Sequence, residues 1–156
     1  MIHYIKGNIF DSKCKCLVNT VNCVGVMGKG LALQFKTKYP HIMGPYKEAC
    51  SKGKLKEGGD IWIFSMQNYI PFDFLITNYP KILCFATKEH WRNPSKLEWI
   101  ERGLQNFINH YKEWKIKTIA FPKLGCTNGG LKWKEVKKLM EKYLNSLDDI
   151  YIEVYE

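Results

Sequence analysis

The residues best suited to chemistry lie in one stretch, Val18-Asn19-Thr20-Val21-Asn22-Cys23-Val24-Gly25-Val26-Met27-Gly28-Lys29-Gly30-Leu31-Ala32. A β-branched run passes there into a helical pattern through a loop with three glycines and two asparagines. Such a loop brings bare backbone N–H groups and the positive end of the following helix against a phosphate or a sugar. The asparagines add uncharged polar chemistry. The Asn22 amide can donate to a ribose hydroxyl and accept from it at once, and Asn19, within the strand, is placed to tie the loop together. Gly25, Gly28 and Lys29 also look like a fragment of a nucleotide-triphosphate P-loop. That motif needs four residues between its first glycine and the Gly-Lys pair and a magnesium-binding hydroxyl after the lysine. Here only Val26 and Met27 intervene and Gly30 follows the lysine, so a nucleoside triphosphatase is excluded.

Glycine turns between strand and helix are common as plain connections, so the loop needs a companion. Phe121-Pro122-Lys123-Leu124-Gly125-Cys126-Thr127-Asn128-Gly129-Gly130-Leu131 repeats the design, with an apolar run before its three glycines and an amphipathic helix after them. Two such units in one α/β chain are expected to meet at the carboxyl ends of parallel strands, with room for a ligand that carries phosphates in its middle. Lys88 follows the apolar run Ile82 to Ala86 and should emerge beside the same cleft. A lysine is ordinarily a solvated surface group. To attack a carbon its amine must be neutral part of the time, which requires burial or a cationic neighbour, and Arg92 is the candidate. Glu89, next along an extended chain, should point to the opposite side. His90-Trp91-Arg92 joins a stacking surface to a phosphate-seeking cation, a mixture suited to an unpaired base, although a buried tryptophan and a surface arginine would read the same way.

The elements that must position these groups follow an alternating α/β pattern. Strands are expected at Ile2 to Lys6, Cys16 to Val21, Asp60 to Ser65, Ile82 to Ala86, Thr118 to Phe121 and Ile150 to Tyr155. A helix from Gly28 to Tyr39 is stopped by Pro40, and a weaker one runs from Gly44 to Lys52. Leu97, Ile100, Leu104, Phe107, Ile108 and Tyr111 mark one face of a third helix, started by Ser95 with Glu98 completing a capping box. Trp133, Val136, Leu139, Met140, Tyr143 and Leu144 mark a fourth. Between Gln67 and Tyr79 an irregular connection rich in aromatics and proline is expected to form a hairpin or a lid.

A chain of 156 residues is expected to form one domain over 1–156 and to bury ~70% of its unfolded surface without disulfides or metal. Lys plus Arg exceed Asp plus Glu by 24 to 15, giving a net charge of +9 that favours polyanionic partners. Much of that charge belongs to ordinary solvated faces. The six cysteines form no Cys-x-x-Cys pair and have no histidine at ligand spacing, so reduced thiols are expected and a zinc site is not. Met1 to Lys6 holds no apolar core long enough for a signal peptide and no segment approaches a membrane span, so cytoplasm is the expected compartment.

Taken in order, Lys6-Gly7-Asn8-Ile9-Phe10, the Asn19 to Ala32 loop and the Pro122 to Leu131 loop resemble the macrodomain family, whose fold binds ADP-ribose. Val21-Asn22 with Gly25 to Gly30, then Ala86-Thr87-Lys88, His90-Trp91-Arg92 and Pro94 to Ile100, are similar to the DarG-type antitoxin branch, in the class of the terminal ADP-ribose protein glycohydrolase. The similarity runs from about Tyr4 to Tyr155. It implies a three-layer α/β/α fold around a mixed, mostly parallel sheet of about six strands. It implies ADP-ribose contacts at Asn8, Ile9, Asn19, Gly25, Met27, Gly28 and Gly30, and at Pro122, Gly125, Cys126, Thr127, Asn128, Gly129, Gly130 and Leu131. In that branch a lysine at the Lys88 position attacks C1 of the distal ribose or otherwise assists glycosidic cleavage, and Asn22 positions that sugar. No metal or redox cofactor is implied, and a monomer is expected.

The implied acceptor is a thymidine base in single-stranded DNA, with His90, Trp91 and Arg92 at the cleft mouth and a cognate ADP-ribosyltransferase toxin as counterpart. The rival acceptors are a protein carboxylate or an acetyl ester, and the rival class is a module that binds ADP-ribose without catalysis. Two departures stand out. Asn8 replaces the usual aspartate that accepts from the adenine amino group, which weakens that bond. Gly125-Cys126 is followed by no carboxylate, as in the DNA-directed branch, and this leaves Asp60, His90 and Glu98 open as proton-transfer groups. Proteins of this branch usually continue into a further region, whereas this chain ends just after its last strand candidate.

Overall fold

The structure is a computed structural model that describes residues 1–68 and 79–156. The expected aromatic connection after Gln67 falls largely outside the described residues. Six strands make one sheet: β1 (Ile2–Ile5), β2 (Cys16–Val21), β3 (Ile61–Phe64), β4 (Lys81–Ala86), β5 (Thr118–Phe121) and β6 (Tyr151–Tyr155), in the order β1-β6-β5-β2-β4-β3. Every neighbouring pair is parallel except β3 with β4. The mixed, mostly parallel sheet read from the sequence is therefore present, with each strand within a residue or so of its expected span.

Both faces of the sheet are covered, which is why its central strands read as near-continuous apolar runs. In β4, Leu83 and Phe85 enter one core, while Ile82, Cys84 and Ala86 enter the other. The first core is closed by α3 (Leu97–His110) and α4 (Trp133–Leu144), whose stripes Ile100, Leu104, Phe107 and Val136, Met140, Leu144 are fully buried. Phe107 meets Phe121 of β5 edge-on, with ring centroids 5.5 Å apart. The second core lies under α1 (Gly30–Lys38) and α2 (Met43–Ser51), through Phe35, Tyr46 and Ala49. Helix, sheet and helix form the three layers.

One expectation fails at the start of α3. The N-cap is Lys96 with no side-chain cap bond, so the Ser95–Glu98 capping box is absent. Ser95 is recruited elsewhere: its backbone N–H donates to Gly129 O at 2.9 Å, which turns the residue under the second glycine loop. Its buried Oγ has no protein partner.

Candidate functional site

The carboxyl ends of β2, β4, β5 and β6 open on a cavity of about 620 Å³, where Val21, Thr87, Pro122 and Tyr155 mark the four strand ends. This is where parallel α/β sheets place ligands, because loops splay apart at that edge.

The first glycine loop is wound around Asn22. Its Oδ1 accepts from the backbone N–H groups of Val24 at 3.0 Å and Val26 at 3.4 Å, and its Nδ2 donates to Val26 O at 2.8 Å. Tyr46 of α2 donates its hydroxyl to Asn22 O at 2.8 Å, and burial keeps that phenol protonated. The Asn22 amide is thus committed to shaping the loop, where the sequence expected it to face a sugar; one of its two amide hydrogens is taken by Val26. Asn19 is fully buried and reaches Met27 Sδ from Nδ2 at 3.7 Å, so it too acts on the loop's interior.

Beyond the loop, α1 begins with Gly30, Leu31 and Ala32 on the cavity wall. Its N-cap, Lys29, makes no side-chain cap bond and its first turn holds no acid, so the positive helix end is left for a ligand anion. The second loop is closed by Leu131 N donating to Gly125 O at 3.0 Å. The two loops touch. Gly30 has φ +60° and packs so closely on Asn128 that a Cβ there would lie 2.4 Å from Asn128 Nδ2.

Lys88 sits half-buried on the cavity wall with Nζ donating to Trp91 O at 3.2 Å. Burial pushes its ammonium below the ordinary lysine value, and repulsion from Lys29 adds to this. The expected cationic neighbour, Arg92, does not serve: its guanidinium lies over the Trp91 ring, 4.7 Å from the centroid. Glu89 points away, its Oε2 accepting from Gly58 N at 3.0 Å. Trp91 lines the cavity and remains 48% exposed, with the His90 ring stacked on it at 5.3 Å.

Of the residues proposed from sequence, the cavity gathers Asn22, Gly28, Gly30, Lys88, Trp91, Pro122, Gly125, Cys126, Thr127, Asn128 and Gly129. Asn19, Gly25, Met27, Gly130 and Leu131 build its loops without lining it, and Asn8, Ile9, His90 and Arg92 also lie off its wall. Asn8 caps the short helical turn Ile9–Asp11 by accepting from Phe10 N at 2.9 Å. The sequence reading missed Thr20, Gln34, Lys123 and Tyr155, and gave Lys29 and Thr87 no role. Thr87, Lys123 and Tyr155 carried a signal, since each lies within two residues of a parallel strand's carboxyl end.

The lining determines the available chemistry. It holds three lysines, Lys29, Lys88 and Lys123, and no carboxylate or imidazole among its described residues. Asp60, Glu98 and His90 therefore do not face the cavity. Burial pushes the Cys126 thiol up, so it stays un-ionised at neutral pH. Among the nitrogen bases on this wall, Lys88 is the lysine whose hold on its proton is weakened.

Residues 18–140 match the family described as Macro domain. A Thermus aquaticus protein named DNA ADP-ribosyl glycohydrolase is 39% identical over 156 residues, covering 100% of this chain and 41% of that protein. The chain belongs to the macrodomain family. The macrodomain of Thermus aquaticus DarG has a TM-score of 0.88 at 39% identity, covering 100% of this chain and 98% of that one. Thermosipho africanus DarTG in complex with ADP-ribose has a TM-score of 0.89 at 35% identity, covering 99% of this chain and 41% of that one. The similarity to the DarG branch read from the motifs holds over the whole chain, which spans about two-fifths of the length of the curated relatives it matches.

Proposed function

We propose that the protein is an ADP-ribosyl hydrolase that binds ADP-ribose between its two glycine loops and removes it from thymidine in single-stranded DNA. The observation that carries this reading is the Lys88 amine, half-buried and depressed in its proton affinity, on the wall both loops share. The named relative and the ADP-ribose complex of a similar structure support the ligand and the acceptor.

The diphosphate lies against the backbone N–H groups of the Gly28–Gly30 and Gly125–Gly129 segments, the opening of α1 and the ammonium of Lys29. The distal ribose then sits toward Lys88. The neutral amine attacks C1 of that ribose, forming a C–N bond as the glycosidic bond breaks and the departing base takes a proton. Water hydrolyses the adduct, returning free ADP-ribose and the lysine. The step is a hydrolysis and needs no metal or redox partner. Trp91, with Arg92 and His90 beside it, receives the bases flanking the modified nucleotide at the cavity mouth. By the resemblance to the antitoxin branch, such an activity opposes a DNA-directed ADP-ribosyltransferase.

The test is release of ADP-ribose from thymidine-modified single-stranded DNA and from a glutamate-modified protein, with wild type and Lys88→Ala. Release from DNA that falls about 100-fold or more in the variant, with ADP-ribose affinity retained, is the expected result. Release from protein alone moves the acceptor to a carboxylate ester. No release from either, with ADP-ribose still bound, leaves a binding module.

A further inference from the structure

The turn that presents Lys88 is held through its backbone and through one side chain. Along the backbone the β2–β4 pairing continues past both strands: Thr87 N and Lys88 N lie 3.1 Å and 3.4 Å from Val21 O, and Cys23 N donates to Glu89 O at 3.1 Å. The side chain is that of Glu89, an exposed residue whose carboxylate accepts from the buried Gly58 amide at 3.0 Å.

Gly58 is itself fixed. Arg102 of α3 donates from Nη1 to Gly58 O at 2.9 Å and from Nη2 to Asp60 Oδ1 at 2.7 Å. Asp60 Oδ2 accepts from Lys56 N at 2.9 Å and Glu57 N at 2.8 Å, and Asn106 Nδ2 donates to Gly59 O at 2.9 Å. Gly59 N donates to Ala86 O at 2.8 Å, so the bracket grips the end of β4 just before Lys88. A Cβ at Gly58 would lie 2.1 Å from the Trp99 ring, so the main chain is pressed against α3 with no slack for a side chain.

Lys88 and Glu89 are adjacent in one short turn beyond the end of β4, so holding the Glu89 side chain restrains the backbone that carries Lys88. A carboxylate on a backbone N–H makes a charge-assisted bond, stronger than a neutral acceptor would make. The same bond keeps the nearest carboxylate in the chain from pairing with the Lys88 amine, which would hold it protonated.

We infer that Glu89 is the positioning residue for Lys88: by docking on the Gly58 amide within the Arg102–Asp60 bracket, it aims the Lys88 amine into the cavity. This rests on the proposed role of Lys88 and adds a residue that touches neither ligand nor reacting atoms. Without the mooring the amine keeps only its bond to Trp91 O and the backbone bonds to Val21 O, and a displacement of about 1 Å costs up to about 100-fold in rate.

The experiment compares wild type, Glu89→Ala, Glu89→Gln and Lys88→Ala in single-turnover release of ADP-ribose from modified single-stranded DNA and modified protein, with ADP-ribose affinity and melting temperature measured alongside. The expected result is a kcat about 10-fold lower in Glu89→Ala, with KM and ADP-ribose affinity near wild type, because the side chain lies off the cavity wall. Glu89→Gln, whose amide oxygen can still accept from Gly58, recovers most of the rate. The inference is overturned if Lys88→Ala is inactive while Glu89→Ala turns over normally, or if Glu89→Gln is no better than alanine. It is equally overturned if Glu89→Ala loses affinity and melting temperature together with rate, the pattern of a purely structural role. Full turnover by Lys88→Ala removes the proposed function of the lysine itself and this inference with it.

Discussion

Gly30→Ala should loosen the cavity by a calculable amount. Gly30 has φ +60°, and an L side chain in that region costs about 1–2 kcal/mol in the folded state. Alanine returns about 0.4–1 kcal/mol by restricting the unfolded chain, which leaves a net backbone loss of about 1 kcal/mol. The second cost falls on the ligand. The new Cβ would sit 2.4 Å from Asn128 Nδ2, so the Asn128 side chain must leave its place where the two loops meet. Displacing a side chain from its rotamer costs about 0.5–1.5 kcal/mol, and closing the loops on a diphosphate must restore it. Calorimetric titration with ADP-ribose should therefore show roughly 2-fold to 10-fold weaker binding, since 1.4 kcal/mol is a factor of ten. Asn128→Ala removes the clashing atoms. In that background Gly30→Ala should cost stability through its backbone but leave affinity nearly unchanged, giving a coupling of about 1 kcal/mol in a double-mutant cycle on affinity. Wild-type affinity in Gly30→Ala, or a coupling of zero, would refute the claim that this contact sets the spacing of the loops.

Two further outcomes follow from the charges. In the proposed reaction Lys88 must be neutral to attack and its proton affinity is lowered, so kcat/KM should rise with pH through a midpoint below the ordinary lysine value; Lys29→Gln removes the repelling cation and should move that midpoint upward in a pH–rate profile. Trp91→Ala should weaken binding of modified single-stranded DNA by about 1–3 kcal/mol while leaving free ADP-ribose affinity unchanged, and Arg92→Ala should reduce the salt dependence of DNA binding by about one counterion; a protein whose affinity for DNA ignores both changes does not use this rim.

The fold was legible because its signals are local and repeated. The runs Cys16 to Val21 and Thr118 to Phe121 match β2 and β5 end to end, since apolar β-branched runs bounded by turn residues leave little choice. The glycine loops were legible for the same reason, and their meeting followed from parallel strands sharing one end. What escaped was decided by neighbours distant in sequence. Ser95 reads as a helix cap until the Gly129 carbonyl claims its N–H. Arg92 reads as the cation beside Lys88 until Trp91 takes its guanidinium, leaving Lys29 in that place. The Asn22 amide reads as a ligand group, and it also holds the turn open, with Oδ1 and one of its two amide hydrogens engaged within the loop.

Lys29 occupies a position with opposing consequences. It lowers the proton affinity of Lys88, which in the proposed reaction favours attack, and in the proposed complex it attracts the diphosphate, whose negative charge offsets that same effect. If repulsion were the main cause, the ligand would switch off the nucleophile as it bound. Burial is the larger cause, and a ligand filling the cavity excludes still more water from the amine. The larger part of the depression therefore does not depend on Lys29 staying uncompensated. In the proposed complex, attraction of the diphosphate and the lowered proton affinity of Lys88 rest on different physics: Coulomb attraction for the phosphates and, as the larger cause, desolvation for the lysine, on a wall lined by lysines with no carboxylate among its described residues.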